Sequence, residues 1–286
     1  MNNYQDRPFV PMIQKTSTLI GLATLSLLCF FVSVNMRTKN DSPSYEKKII
    51  AAELMQDAMS TLKSARMEAG VFMDIENDPN ETGLVGSSFS LITTDEGDLD
   101  AKLTTLDPNF SAAMVDLMNQ VGLGEGDTVA LLLTGSMPGA NIAALTACSA
   151  LGLVPVTITS VGASQWGANH EDFTWLDMEA ILFEHGLIPE RSVAASIGGR
   201  NDMGRLLSPA GRRIIEENIE AHGLPLIRTS RLADNIQARM DILGSYQMIG
   251  SFDAMINVGG GVASLGTSFN LKLLPPGVVR RTDVVN

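Results

Sequence analysis

Continuous apolar runs, each closing in a small, polar, glycine-rich loop, recur along the second half of the chain. They are "TVALLLT" (residues 128–134), "VPVTITS" (154–160), "SVAASIGG" (192–199) and "AMINVGGG" (254–261), with a weaker "LPLIRT" (224–229). A strand with one wet face alternates apolar and polar positions; these runs do not, as expected of strands covered on both faces. Helix-prone segments lie between them at 140–151, 173–185, 209–222 and 231–243. Glu171 and Asp172 open the second of these, and Ser208-Pro209 is a good start for the third. Strands and helices alternating at this spacing predict a mostly parallel, doubly wound, Rossmann-like α/β sheet. The single helix between 128–134 and 154–160 makes those two runs adjacent central strands joined by a right-handed crossover.

The pattern differs upstream. Residues 16–36, "TSTLIGLATLSLLCFFVSVNM", carry no charge, and at 1.5 Å per residue they give about 30 Å of helix, enough to cross a hydrocarbon core. The alternative is a cleaved signal peptide, but Phe31-Val32-Ser33-Val34 offers no pair of small residues for a peptidase. The reading is an uncleaved single-pass anchor. Arg7 and Lys15 precede it while Arg37, Lys39, Lys47 and Lys48 follow, so the charge count leans toward a cytoplasmic domain. Large domains often translocate regardless of such counts, so the sequence leaves the topology open between the two sides, with a soluble part outside the cytoplasm as the expectation. A polar hinge at 40–44 leads to a helix at 45–68, with Ile50, Leu54, Ala58 and Leu62 on one face beside Met55 and Met59. The expected organisation is a tail (1–15), an anchor (16–36), a helical stalk or lead-in (37–87) and an α/β domain (88–286). The ending "RRTDVVN" supplies no clear closing element, which leaves open whether the α/β domain is complete at its C-terminus.

Hydrophobic content of 45% with 18% charged residues fits a globular chain with a real core. A formal net charge of −12 and the lack of a basic cluster argue against a nucleic-acid partner. Outside the apolar segment Cys148 is the one thiol, which precludes an internal disulfide there.

Ligands of open parallel sheets bind outside the carboxyl ends of the strands. Four loops fall at that edge: "TGSMPGAN" (134–141), "TSVGASQWGANHED" (159–172), "SIGGRND" (196–202) and "NVGGGVASLG" (257–266). Glycines allow close backbone approach, and helix N-termini favour anions. A shared cleft is therefore expected to draw ligand contacts from Ser136, Asn141, Ser160, Ser164, Asn169, Arg200, Asp202 and Gly260. Ser136 is read three ways: a ligand-contacting hydroxyl, a turn or cap residue, or a nucleophile. As a nucleophile it lacks the G-x-S-x-G context and needs a base, for which His170 is the best placed of the three histidines. Arg200 and Asp202 either orient an anion or tie their own turn. Walker A, dinucleotide-binding and H-E-x-x-H patterns are all missing, so neither a cofactor nor a metal is expected.

Several long stretches taken together resemble the poly-gamma-glutamate system protein family. They are "GLVGSSFSLITTDEGDLDAKLTTLDPNFSAAMVDLM" (83–118), "GSMPGANIAAL", "ITSVGASQWGANHEDFTWLDME" (158–179), "SIGGRNDMGRLLSPAGR" and "NVGGGVASLG". The resemblance spans nearly all of residues 51–266, and "SQWGAN…FTWLDME" is its most specific part. It implies an anchored bacterial cell-surface protein of the machinery that makes a poly-gamma-glutamate capsule or polymer, with the polymer or its synthase subunits as partners. It implies a process rather than a reaction. Two functions stand side by side: an accessory component binding polymer or synthase, and a serine-dependent hydrolase or amide-transferring enzyme.

Overall fold

Each apolar run of the second half forms a strand. In chain order the strands are β1 (Thr128–Thr134), β2 (Val154–Ser160), the two-residue β3 (Asn169–His170) and β4 (Phe173–Thr174), β5 (Ser192–Ser196), β6 (Leu226–Ile227) and β7 (Ala254–Asn257). The computed structural model describes residues 15–36, 43–266 and 278–280, in two units divided after Pro43. Residues 1–14 of the tail, 40–42 of the hinge and the closing 281–286 lie outside the described residues.

The first unit contains α1 (Thr16–Asn35), with a mean hydropathy of 2.1 and no residue buried. By length and composition it is able to cross a membrane.

The second unit adds α2 (Tyr45–Glu68), α3 (Leu99–Thr104), α4 (Asn109–Gln120), α5 (Pro138–Leu151), α6 (Trp175–Glu184), α7 (Pro209–Ala221), α8 (Leu232–Tyr246) and the one-turn α9 (Val262–Leu265). Five strands make one sheet in the order β6-β5-β2-β1-β7, and every pairing in it is parallel. β1 and β2 are central neighbours, in register from Thr128↔Val154 to Thr134↔Ser160. The chain steps from β1 through β2 and β5 to β6, then returns past β1 to lay β7 on its far side. That reversal opens a crevice between the loops leaving β1 and β7, where an open parallel sheet takes its ligands.

Burial explains the unbroken apolar runs. Leu131 and Leu133 pack with Met55 and Leu62 of α2 and Ile142 of α5, and Val129 packs with Val115 of α4. The alternate residues, Ala130 and Leu132, join Val156, Ile158 and Leu243 of α8 on the other face. The large side chains here each contribute about 1.5–3 kcal/mol by leaving water.

α2 belongs to the same unit as the sheet. Its buried stripe runs Ala51, Met55, Ala58, Met59 and Leu62, turned by one position from the expected row, so that Ile50 is 43% exposed. Arg66 fastens the end of α2 to the following turn by donating to the carbonyls of Phe72 and Gly83. Residues 37–87 thus include a core helix, and no break falls at residue 88.

Candidate functional site at the carboxyl edge of the sheet

The loop leaving β1 is tied to the loop leaving β2. Gly135 donates to the Ser160 carbonyl at 2.8 Å and accepts from the Ala168 N–H at 2.7 Å. A Cβ at Gly135 would strike the Val161 carbonyl oxygen, so no larger residue fits there. The chain emerges at Ser136, whose Oγ accepts the Ser164 N–H at 3.0 Å. Across the crevice Gly259 (φ 96°) turns the loop after β7 against the Thr134 side chain. Thr134 Oγ1 is buried there with no hydrogen-bond partner.

These loops, with the loop after β5 and the start of α3, enclose a cavity of about 460 Å³. Ser136, Ser160, Ser164, Arg200, Asp202 and Gly260 all line it. They come from four separate loops, so chain proximity does not explain their meeting.

Two expected contacts are corrected. Asn141 is fully buried and donates from Nδ2 to the Thr134 carbonyl at 2.9 Å, holding the end of β1. Asn169 is equally buried: Oδ1 accepts from the Ser87 N–H at 2.9 Å, and Nδ2 donates to the Ser87 carbonyl at 2.8 Å and to Thr93 Oγ1 at 2.9 Å. Each amide satisfies backbone groups that no ladder partner reaches. Neither lines the cavity. His170 does not line it either; its Nδ1 accepts the Asp172 N–H at 3.2 Å.

Arg200 and Asp202 part company. Asp202, 4% exposed, forms an ion pair with Arg239 of α8 at 2.6 Å. Arg239 Nη2 also donates to Ser196 Oγ at 2.7 Å and Ser160 Oγ at 3.1 Å. Both hydroxyls in turn donate to Asp202 Oδ1, at 2.7 and 3.1 Å. This closed network is one wall of the cavity. Arg200 lines the cavity and makes no ion pair among the described residues.

The sequence reading missed Lys102. Its side chain, on α3, is 3% exposed and reaches into the cavity wall. Nζ donates to the Ser136 carbonyl and, at 3.0 Å, to Ser164 Oγ. Burial lowers the amine to about 8, against the opposing pull of the Asp98 carboxylate. Asp95, Glu96 and Asp98 line the cavity on the same side. Among these acids Lys102 looks like a solvated partner on an exposed face. The available signal was its place three residues after Leu99 and beside Leu103, on a row packed against the core.

A second polar cluster gathers at the start of β5. Glu179 is fully buried, and its carboxyl accepts the Ser192 N–H at 2.9 Å and the Ser192 hydroxyl at 2.8 Å. Burial outweighs those bonds and pushes Glu179 up to about 7. Burial also opposes charge on Asp177, but hydrogen bonds from His222 and Thr174 prevail and hold that carboxyl below its ordinary range. Among the described residues no group of three His, Cys, Asp or Glu side chains is arranged to hold a metal ion.

Comparisons with protein-family models, with curated proteins and with solved structures find no match.

Proposed function

We propose that the chain is a membrane-anchored component of a poly-gamma-glutamate system whose cleft, at the carboxyl edge of a Rossmann-like sheet, binds a segment of the glutamyl polymer. The observation that carries this reading is the convergence of Ser136, Ser160, Ser164, Arg200 and Gly260, from four loops, on one cavity. Its volume of about 460 Å³ lies in the usual range of small-ligand sites. Arg200 offers a fixed positive charge to a side-chain carboxylate. The N–H groups of Gly259, Gly260 and Gly261, which make no hydrogen bond among the described residues, are free to receive carbonyl or carboxylate oxygens.

The acids on the α3 side restrict the ligand. Asp95, Glu96 and Asp98 repel additional carboxylates while accepting amide N–H groups. Together with the net charge of −12, they favour a short stretch or end of the polymer inside the cleft over a long polyanion on the surface. In this reading α1 is an uncleaved anchor that keeps the domain on the outer side of the membrane, beside the synthase subunits.

The test is calorimetric titration of the detergent-solubilised chain with γ-linked and α-linked glutamate oligomers. Selective binding of the γ-linked oligomer, weakened about tenfold by Arg200→Ala, supports the reading. Equal or absent binding of both rejects it. Membrane extraction followed by N-terminal sequencing tests the anchor, which fails if the mature chain starts beyond residue 30.

A further inference from the structure

One basic amine and one hydroxyl meet inside the cleft at bonding distance. Lys102 Nζ lies 3.0 Å from Ser164 Oγ, and the Ser136 carbonyl holds the same amine. The Ser164 N–H is fixed in turn by Ser136 Oγ. Lys102 is nine-tenths buried and forms no ion pair among the described residues. An ammonium so placed loses hydration and gains no carboxylate in direct contact; the pull of Asp98 offsets that loss only in part, which favours the free base. The ammonium donates to Ser164 Oγ; once deprotonated, Nζ can keep one N–H on the Ser136 carbonyl and turn its lone pair to the Ser164 hydroxyl, reversing that bond. Ser136 Oγ, by contrast, has a backbone N–H as its one hydrogen-bond partner among the described residues.

We propose that Ser164 and Lys102 form a serine–lysine acyl-transfer pair, with Ser164 as nucleophile and Lys102 as its base, acting on an amide bond of a glutamyl chain. The substrate half of this proposal rests on the reading of the cleft given above; the pair itself rests on the geometry.

Neutral Lys102 takes the hydroxyl proton as Ser164 Oγ bonds to the amide carbonyl carbon. The C=O π pair moves to oxygen, where the unoccupied N–H groups of Gly260 and Gly261, on the same cavity, are the available donors. The intermediate collapses by breaking the C–N bond, and the Lys102 ammonium gives its proton to the departing nitrogen. An ester on Ser164 and a free amine result. Water then adds to the ester carbonyl and gives a proton to Lys102. Ser164 Oγ departs with that proton, leaving a carboxylic acid and the restored pair. An amine in place of water yields a new amide, so one site serves trimming or attachment.

The full-length chain in detergent is treated with a fluorophosphonate between pH 6 and 9.5, and the adduct is located by peptide mass spectrometry. The expected result is an adduct on Ser164 whose rate climbs about tenfold per pH unit and levels above a pH of about 8. Ser164→Ala abolishes the adduct, and Lys102→Met slows it by about 100-fold. An adduct on Ser136, no Ser164 adduct at pH 9 on folded wild-type protein, or a Ser164 rate indifferent to pH overturns the pair. The wild-type pH profile needs no substitution, so it decides the matter even if Lys102→Met fails to fold. A γ-linked glutamate oligomer added in competition separates the two readings. Slowed labelling supports both, while unchanged labelling keeps the pair and removes the polymer as its substrate.

Discussion

Two cations are buried beside the same cavity in opposite surroundings. Arg239 meets a carboxylate at 2.6 Å and two serine hydroxyls that bond the same carboxylate. Lys102 meets one carbonyl and one hydroxyl, with no carboxylate in ion-pair range among the described residues. Guanidinium stays charged in both folded and unfolded chains, so Arg239 serves as a fixed strut. An ammonium titrates, and Lys102 is held where its proton is easily lost. Burial alone therefore does not distinguish structure from chemistry at this edge; a carboxylate in ion-pair contact, present for Arg239 and not for Lys102 among the described residues, does.

The strut side of the comparison breaks hardest. Arg239→Met leaves Asp202 buried and unpaired and is expected to lower unfolding stability by about 3–5 kcal/mol in denaturant titrations. Adding Asp202→Asn should recover much of that loss, because the stranded charge is then gone. Recovery that fails would mean that the hydroxyl network, not the charge pair, holds the wall.

Glu179 is an acidic counterpart of Lys102, a carboxyl buried without a bonded cation. Its folded value of about 7 stands above the unfolded 4.5, so the folded chain binds the extra proton between those limits. The stability it contributes is fully present below pH 4.5 and is lost as pH rises through 7. A shift of this size corresponds to at most about 3 kcal/mol. Glu179→Gln should flatten that part of the pH–stability curve and raise the melting temperature at pH 8.

Lys102 runs the other way. Its folded value of about 8 lies below the unfolded 10.5, so the unfolded chain holds more protons in that window and stability climbs from pH 8 to 10.5. Lys102→Met should remove the climb and be stabilising at pH 7 by about 2 kcal/mol, after about 1 kcal/mol is lost with its hydrogen bonds. A variant that instead melts far below wild type at pH 7 would make Lys102 another strut.

The smallest effect belongs to Ser136. Ser136→Ala removes the acceptor of the Ser164 N–H in a partly solvated loop and should cost about 1 kcal/mol of stability. Binding of a γ-linked oligomer should weaken more than stability does.

How far the sequence carried the description follows from the same contrast. β1 and β2 occupy the predicted residues 128–134 and 154–160, because continuous apolar runs between glycine-rich turns have few other uses. Ser136, Ser160, Ser164 and Arg200 reached the cavity because loops at strand ends have little choice of direction. Asn141 and Asn169 did not, since an amide beside a strand end is drawn first to unpaired backbone. Arg239 and Lys102 escaped notice because their polar heads hide a buried position. On α8 the buried face is Asn235, Arg239 and Leu243, while the apolar Ile236 and Met240 are 37% and 39% exposed. Hydrophobic periodicity does not find a polar face satisfied by partners distant in sequence.

Hydrogen–deuterium exchange with and without a γ-linked glutamate oligomer tests the central claim most directly, because the cleft draws on four loops at once. The account predicts simultaneous protection of the four strand-end loops, at residues 134–137, 160–164, 198–202 and 259–262, and of the segment 94–102 beside them, all of which contribute to the cavity lining. Protection confined to residues 216–226, around the separate concavity near β6, or protection of none of the four loops at saturating oligomer, would contradict it.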